Sequence, residues 1–261
     1  MKRPMLLENL TWPEIAALCE ENGGLLMLPL GATEQHGPHL PVAMDTLLAE
    51  SLCHAASQRT GVPVLSALRY TVSQGHTAKW PGTFSLRHET FIACLNDIAE
   101  WAISSGWKRL LLINSHFGND AAARVAVDQL RLAHLGKLQV GLLNVFKLTD
   151  SIWQKYTQDA ADLHANQAET SLMLHLYPGL VRMERLADSD DPDRTADSIF
   201  SYPVAQTSLN GVTGFPSRAT SAQGAELFEE MVVALSEKVR IAILENPPLD
   251  RRHWHGLQQT K

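Results

Sequence analysis

Short apolar runs alternate along this chain with longer stretches in which apolar residues recur every three or four positions. Leu25-Leu26-Met27-Leu28-Pro29-Leu30 is a continuous apolar run of the kind a strand shows when both its faces are covered. Residues 62–68, 109–114 and 138–146 are predicted as further strands. Helical periodicity marks residues 46–59, 87–105, 119–134, 165–176 and 222–244; in the second of these Phe91, Leu95, Ile98 and Ala102 share one face. Thr11-Trp-Pro-Glu14 is a capping box with proline in the first turn, which predicts a short helix to about residue 20, closed by Gly23-Gly24. Strands separated by helices of this length mean βαβ units and a mostly parallel sheet, an α/β fold.

No repeat, low-complexity block or linker interrupts the alternation, so residues 1–261 are read as a single domain. The stretch DSDDPDRT (residues 188–195) is acidic and contains proline, and is predicted as an exposed loop. Pro247-Pro248 ends the last helix. The polar residues 250–261 read as a tail, in which His253 and His255 carry no expected role.

Composition narrows the class. The chain is 45% hydrophobic and 19% charged, enough to bury a sizeable core. Its formal charge of −6 argues against nucleic acid as a partner. Cys19, Cys53 and Cys94 are odd in number and far apart, so neither a disulfide framework nor a cysteine zinc site is expected. No run approaches the ~20 apolar residues of a membrane span, and no signal-like segment opens the chain. The expectation is a cytoplasmic protein with no membrane partner.

The chemistry-bearing residues gather after strands. Glu34-Gln-His36-Gly-Pro-His39, with Asp45 shortly beyond, follows the first strand directly. In open α/β sheets ligands bind beyond the carboxyl ends of strands. Glu34 and His36 are two apart and point the same way in extended backbone. Pro38 and Pro41 stiffen the loop, and Asp45 is placed to cap the next helix and turn its carboxylate back. Carboxylate plus imidazole is a ligand set for zinc, manganese or iron. His116, in Asn114-Ser-His-Phe-Gly-Asn119, follows the apolar strand at 109–114, so it shares that sheet edge. His164 and Glu169 lie around a predicted helix start, where either side chain can be aimed into a cleft; a histidine beside metal ions can move protons. His76 and Trp80 lie in a Gly- and Pro-rich loop and are candidate pocket residues. There is no G-x-S-x-G elbow, no Walker loop and no G-x-G-x-x-G after the first strand.

These motifs resemble those of the creatininase (creatinine amidohydrolase) family. Pro29-Leu-Gly-Ala-Thr-Glu34-Gln-His36-Gly-Pro-His39-Leu-Pro41 with Asp45 is similar to that family's signature. Trp80-Pro-Gly-Thr-Phe-Ser-Leu86 resembles its F-P-G-T-x-S-L stretch, Asn114-Ser-His116-Phe-Gly-Asn119 its N-G-H-G-G-N loop, and His164-Ala-Asn-Gln-Ala-Glu169-Thr-Ser171 its H-A-G-x-x-E-T-S segment. The four occur in the family's order and span about half the chain.

The resemblance implies a three-layer αβα sandwich, two divalent metal ions per subunit (zinc first, manganese or iron as alternatives) and a homohexamer acting on a small molecule. Asp45 would bridge the ions, Glu34 and His116 would hold one, and His36 with a second carboxylate the other. In creatininase proper that carboxylate lies two residues after the loop histidine; here the position is Gly118, which makes Glu169 the replacement. A water activated between the ions would attack the substrate carbonyl, with His164 giving a proton to the leaving nitrogen. His76, Trp80, Phe117 and Trp153 are the expected substrate-binding residues. A tryptophan of creatininase is replaced by Ala160, and the loss of that aromatic lid argues against creatinine itself as substrate; Ser115 also replaces the usual glycine of the histidine loop. The expected activity is hydrolysis of a small cyclic amide or formamide. The alternatives are ring opening of a cyclic polyol ketone at a carbon–carbon bond, or a non-catalytic metal-binding protein, against which the ligand set weighs. Lys79, Arg87 and Arg218 are too scattered to indicate a phosphate-bearing substrate.

Overall fold

The apolar run at 25–30 forms the first strand of a parallel sheet, and its two faces seed two separate cores. A computed structural model describes residues 3–249. In chain order the elements are α1 (Trp12–Leu18), β1 (Leu25–Leu30), α2 (Met44–Thr60), α3 (His88–Ser104), β2 (Arg109–Asn114), α4 (Asp120–Ala133), β3 (Gln139–Asn144), α5 (Asp150–Tyr156), α6 (Gln167–Leu176), α7 (Met183–Leu186), α8 (Val204–Thr207) and α9 (Ser221–Leu244). The strands are ordered β1-β2-β3 and all parallel, with Leu25 opposite Arg109 and Arg109 opposite Gln139.

Side chains alternate across a strand, and the cores follow that alternation. Leu25 and Met27 of β1, with Leu111 and Ile113 of β2, pack under α2, α6 and α9 through Leu48, Leu52, Leu172, Met231 and Leu235. Leu26, Leu28 and Leu30, with Leu110 and Leu112, pack under α3 and α4 through Phe91, Leu95, Ala123 and Leu130. Helices on both faces of a parallel sheet make the αβα sandwich. Each fully buried Leu or Phe contributes roughly 1.5–3 kcal/mol.

Four expectations change. Residues 62–68 run beside β1 but pair only as isolated bridges, Met27 with Val64 and Leu30 with Leu68. Two prolines without an N–H are the reason: Pro29 leaves a gap between the bonds Leu65 N–H to Met27 O and Leu68 N–H to Pro29 O, and Pro63 can donate nothing ahead of the bond Met27 N–H to Pro63 O. Asp45 does not cap α2. The N-cap is Ala43, and Asp45 lies inside the first turn, which leaves its carboxylate free of backbone donors. Residues 188–195 are not simply an exposed loop. Ser189 and Asp191 are buried, and the Asp191 carboxylate accepts from Ser208 Oγ and Leu209 N–H at 2.8 and 2.7 Å. Ser189 and Asp191 brace the 208–214 loop rather than forming a solvated tip. Helix α5 was not anticipated. Its signal is Thr149, whose hydroxyl accepts from Ile152 N–H, followed by Ile152 and Tyr156 on one buried face.

No helix among the described residues is long and apolar enough to cross a membrane. The predicted tail at 250–261, with His253 and His255, lies outside the described residues.

Candidate metal centre

Two parallel strands end side by side, and the loops that leave them carry most of the candidate ligands. Glu34 and His36 follow β1, His116 follows β2, Asp45 opens α2 and Glu169 lies in the first turn of α6. All five are buried. His116 Nε2 lies 3.4 Å from Glu34 Oε2, and His116 Nδ1 lies 3.3 Å from Asp45 Oδ2. His36 Nε2 lies 3.7 Å from Asp45 Oδ1. Three sets of side chains each bring one ligand atom per residue within 4.8 Å of one another: Glu34, Asp45 and His116; His36, Asp45 and Glu169; Glu34, His36 and His164. Asp45 belongs to the first two, and those are the sets into which the family resemblance divides the five residues.

The backbone decides which imidazole nitrogen faces the centre. His36 Nδ1–H donates to Glu34 O at 3.1 Å, so its lone pair is on Nε2. His116 Nε2–H donates to Val72 O at 2.8 Å, so Nδ1, which faces Asp45, is the nitrogen left for a cation or a second proton. His164 Nε2–H donates to Gln35 O at 2.7 Å, which leaves Nδ1 as the lone pair, 3.6 Å from Glu34 Oε1. Fixing a histidine through its far nitrogen is how proteins orient metal ligands.

The carboxylates fit a cation by their lack of other partners. Glu34 Oε2, Asp45 Oδ2 and Glu169 Oε2 are buried oxygens without a hydrogen bond among the described residues. A buried carboxylate oxygen left unsatisfied is costly, and a bound cation is the ordinary remedy. The titration behaviour says the same. Burial, together with the charges of Asp45 and Glu34 and against the pull of His36, raises the Glu169 pKa to about 7. Burial would lower that of His116, but Glu34 and Asp45 override it and hold it at about 10. Three enclosed carboxylates demand positive charge, and divalent ions supply it more compactly than protons.

Local structure explains how each ligand is held. Ser115, the replacement for a glycine, is buried and places its hydroxyl 2.7 Å from Asp45 O and 3.1 Å from Leu30 O, tying the start of α2 to the end of β1. Gly118 leaves no room for a substitute ligand, because a Cβ there would collide with His116 Nε2 and Val72 O. Ala165, between His164 and the α6 cap Asn166, takes φ 50°, a left-handed conformation that costs a non-glycine residue about 1–2 kcal/mol. The turn lets His164 enter the cleft while Asn166 Oδ1 accepts from Glu169 N–H at 3.2 Å.

His39 is fully buried, with Nε2 2.8 Å from Thr170 Oγ1 and, among the described residues, no partner for Nδ1. Burial and the neighbouring His36 lower its pKa to about 4. A histidine kept neutral in the fold but free to protonate when unfolded makes stability fall as pH drops from about 6.5 toward 4. Wild type should therefore lose about 3 kcal/mol more than His39→Gln between pH 7 and pH 4. Urea unfolding of both with chelator present checks this; parallel loss would show that His39 is protonated in the fold.

A cleft of about 120 Å³ opens onto the centre, lined by the five residues above together with His76, Phe117, Gly118, Ala161, Asp162, Leu163, His164 and Val204. Of the predicted substrate residues, His76 and Phe117 line it, whereas Trp80 and Trp153 do not. Trp80 is half-buried with the Lys79 ammonium over its ring, 4.7 Å from the centroid. Trp153 forms a second layer: Phe117 stacks on Phe146 at 3.7 Å, and Trp153 lies 6.2 and 6.4 Å from those two rings. Sequence reasoning missed Gln35, Asp162 and Val204. For Gln35 the signal was its place between Glu34 and His36, but strand-like alternation points it away from them.

The family model described as creatinine amidohydrolase (creatininase) matches residues 8–239. The creatinine amidohydrolase of Pseudomonas putida is 30% identical over 92% of this chain and 98% of its own. A mycofactocin precursor peptide peptidase of Mycobacterium tuberculosis (strain ATCC 25618 / H37Rv) is 33% identical over 79% of this chain and 81% of its own. A creatininase crystal structure superposes with a TM-score of 0.81 at 29% identity, covering 94% of this chain and 100% of that one. A zinc–zinc type creatininase variant covers 94% of this chain and a manganese creatininase 93%, each 28% identical with a TM-score of 0.80 over all of its own chain.

Proposed function

The chain belongs to the creatininase (creatinine amidohydrolase) family, is a metal-dependent hydrolase, and, we propose, hydrolyses a small cyclic amide or formamide with two divalent ions per subunit. One observation carries the two-ion reading: Asp45 is shared by two ligand sets, each completed by a second carboxylate and an imidazole. Glu34, Asp45 and His116 would hold one ion; His36, Asp45 and Glu169 would hold the other. Zinc comes first for this mixed donor set, with manganese or iron as alternatives. Two such ions would polarise a carbonyl and lower the pKa of a water between them.

The chain's own residues do the rest. Phe117, Leu163 and Val204 give the cleft its apolar wall and exclude water from the bound substrate. His164 is buried with its free Nδ1 facing Glu34, placed to take a proton there and pass it to the leaving nitrogen. Burial, then the neighbouring imidazoles, push its pKa well below the ordinary value, so it enters the reaction neutral. The small cleft and the lack of Lys or Arg in its lining among the described residues support a small, unphosphorylated substrate.

The test is hydrolysis of creatinine, formamides, cyclic lactams and short peptides by zinc- or manganese-loaded protein, with and without chelator. Turnover of at least one amide, lost to chelator and restored by metal, is expected. Two bound ions with no amide turned over would instead favour ring opening of a polyol ketone or a binding role. We also propose a homohexamer, which large exposed apolar side chains such as Trp12 and Trp101 support. Sedimentation at six times the 28.8 kDa chain mass checks it.

A further inference from the structure

Gln35 lies between two proposed ligands in sequence, yet its side chain turns the other way, into a pocket of hydrogen bonds that none of the assigned roles uses. Its Oε1 accepts from Gly37 N–H at 2.9 Å, and its Nε2 donates to Gly211 O at 3.2 Å. Both partners are backbone groups whose donor and acceptor roles are fixed, so the orientation of the amide is fixed with them. The remaining Nε2 hydrogen lies between His76 Nδ1, at 3.1 Å, and His164 Nε2, at 3.2 Å, and the latter already carries the proton it gives to Gln35 O, so His76 Nδ1 is the receiver. An amide hydrogen can be received only by an unprotonated nitrogen. His76 must therefore carry its proton on Nε2, the atom that faces the centre, 3.8 Å from Glu34 Oε2.

The same residue treats His164 in the opposite sense. Its backbone oxygen takes the His164 Nε2 proton at 2.7 Å and leaves the lone pair on Nδ1. The two rings are neighbours, 4.2 Å between centroids. One residue thus presents a donor and an acceptor side by side in one cleft.

We propose that Gln35 is a positioning residue that holds His76 in its Nε2–H tautomer, so that His76 presents an N–H donor to the bound substrate while His164 presents a lone pair. Gln35 is itself locked in place. Gly211 has φ 88°, and a Cβ there would collide with the Gln35 amide oxygen. The 208–214 loop holds the other flank, since Thr213 and His164 exchange both of their backbone N–H to O bonds. The use of the His76 donor in catalysis rests on the function proposed above; the tautomer itself does not.

The test is the tautomer, read by magic-angle-spinning spectra of zinc-loaded protein with labelled imidazole nitrogens and His76 identified by its loss in His76→Asn. Wild type should show His76 Nδ1 as an unprotonated nitrogen and Nε2 as a protonated one. Gln35→Glu replaces the donor with an acceptor, so the two resonances should exchange positions, and Gln35→Leu should leave a mixture. Protonated Nδ1 in wild type overturns the proposal even if no variant folds. An unchanged His76 in Gln35→Glu with wild-type zinc content overturns it as well. Zinc content measured on the same samples separates this failure from failure of the two-ion reading: a chain that binds no zinc contradicts the latter, and the wild-type tautomer still decides the former.

Discussion

Asp45→Ala is expected to bind neither ion and to lose at least about 10³-fold in rate, because the metal contribution to such chemistry is worth several kcal/mol. The size follows from position. Asp45 is the residue common to two ligand sets, so its removal leaves one carboxylate and one imidazole in each. Glu34→Gln or His116→Ala should instead cost chiefly one ion. Metal content after gel filtration in zinc-free buffer reads the difference. The fold should survive, because α2 is anchored by Leu48 and Leu52 in the core and not by the Asp45 carboxylate.

His164→Gln is expected to keep both ions and lose roughly 10²–10⁴-fold in kcat, the ordinary range for losing a general acid–base group. Glutamine retains a side-chain amide that can still bond the Gln35 carbonyl, so the loop is spared while the titrating nitrogen is lost. The alternative outcome is informative. His164 Nδ1 is close enough to Glu34 and His36 to complete a third ligand set. If His164→Gln sheds one ion, His164 is a ligand and the proton must be carried by another group.

The strands and long helices were legible because they are periodic and their ends are marked. Residues 25–30 and 109–114 are apolar runs that end where polar loops begin, and Thr11-Trp-Pro-Glu14 forms the capping box its pattern announces. The segment at 62–68 reads as a strand by composition but fails as one, since two prolines deny it the ladder. Proline content was visible; its pairing partner was not. The metal-ligand candidates were legible for a topological reason: loops leaving adjacent parallel strands must emerge on the same edge. Glu169 and His164 come from a helix start far along the chain, and no local pattern says which edge that start faces. The aromatic residues divide in the same way. Phe117 is adjacent to His116 and so lines the cleft, whereas Trp153 needed a packing order, behind Phe117 and Phe146, that depends on where α5 docks. Gln35 was hidden because its role depends on a carbonyl at position 211, which no spacing reveals.

Two ligand sets that share Asp45 would each hold one cation. Plasma mass spectrometry of zinc-loaded wild type and Glu169→Gln, after equal dialysis against zinc-free buffer, tests this most directly. Two ions per chain in wild type and one in Glu169→Gln are expected. One ion or none in wild type, or two retained in Glu169→Gln, would contradict the claim.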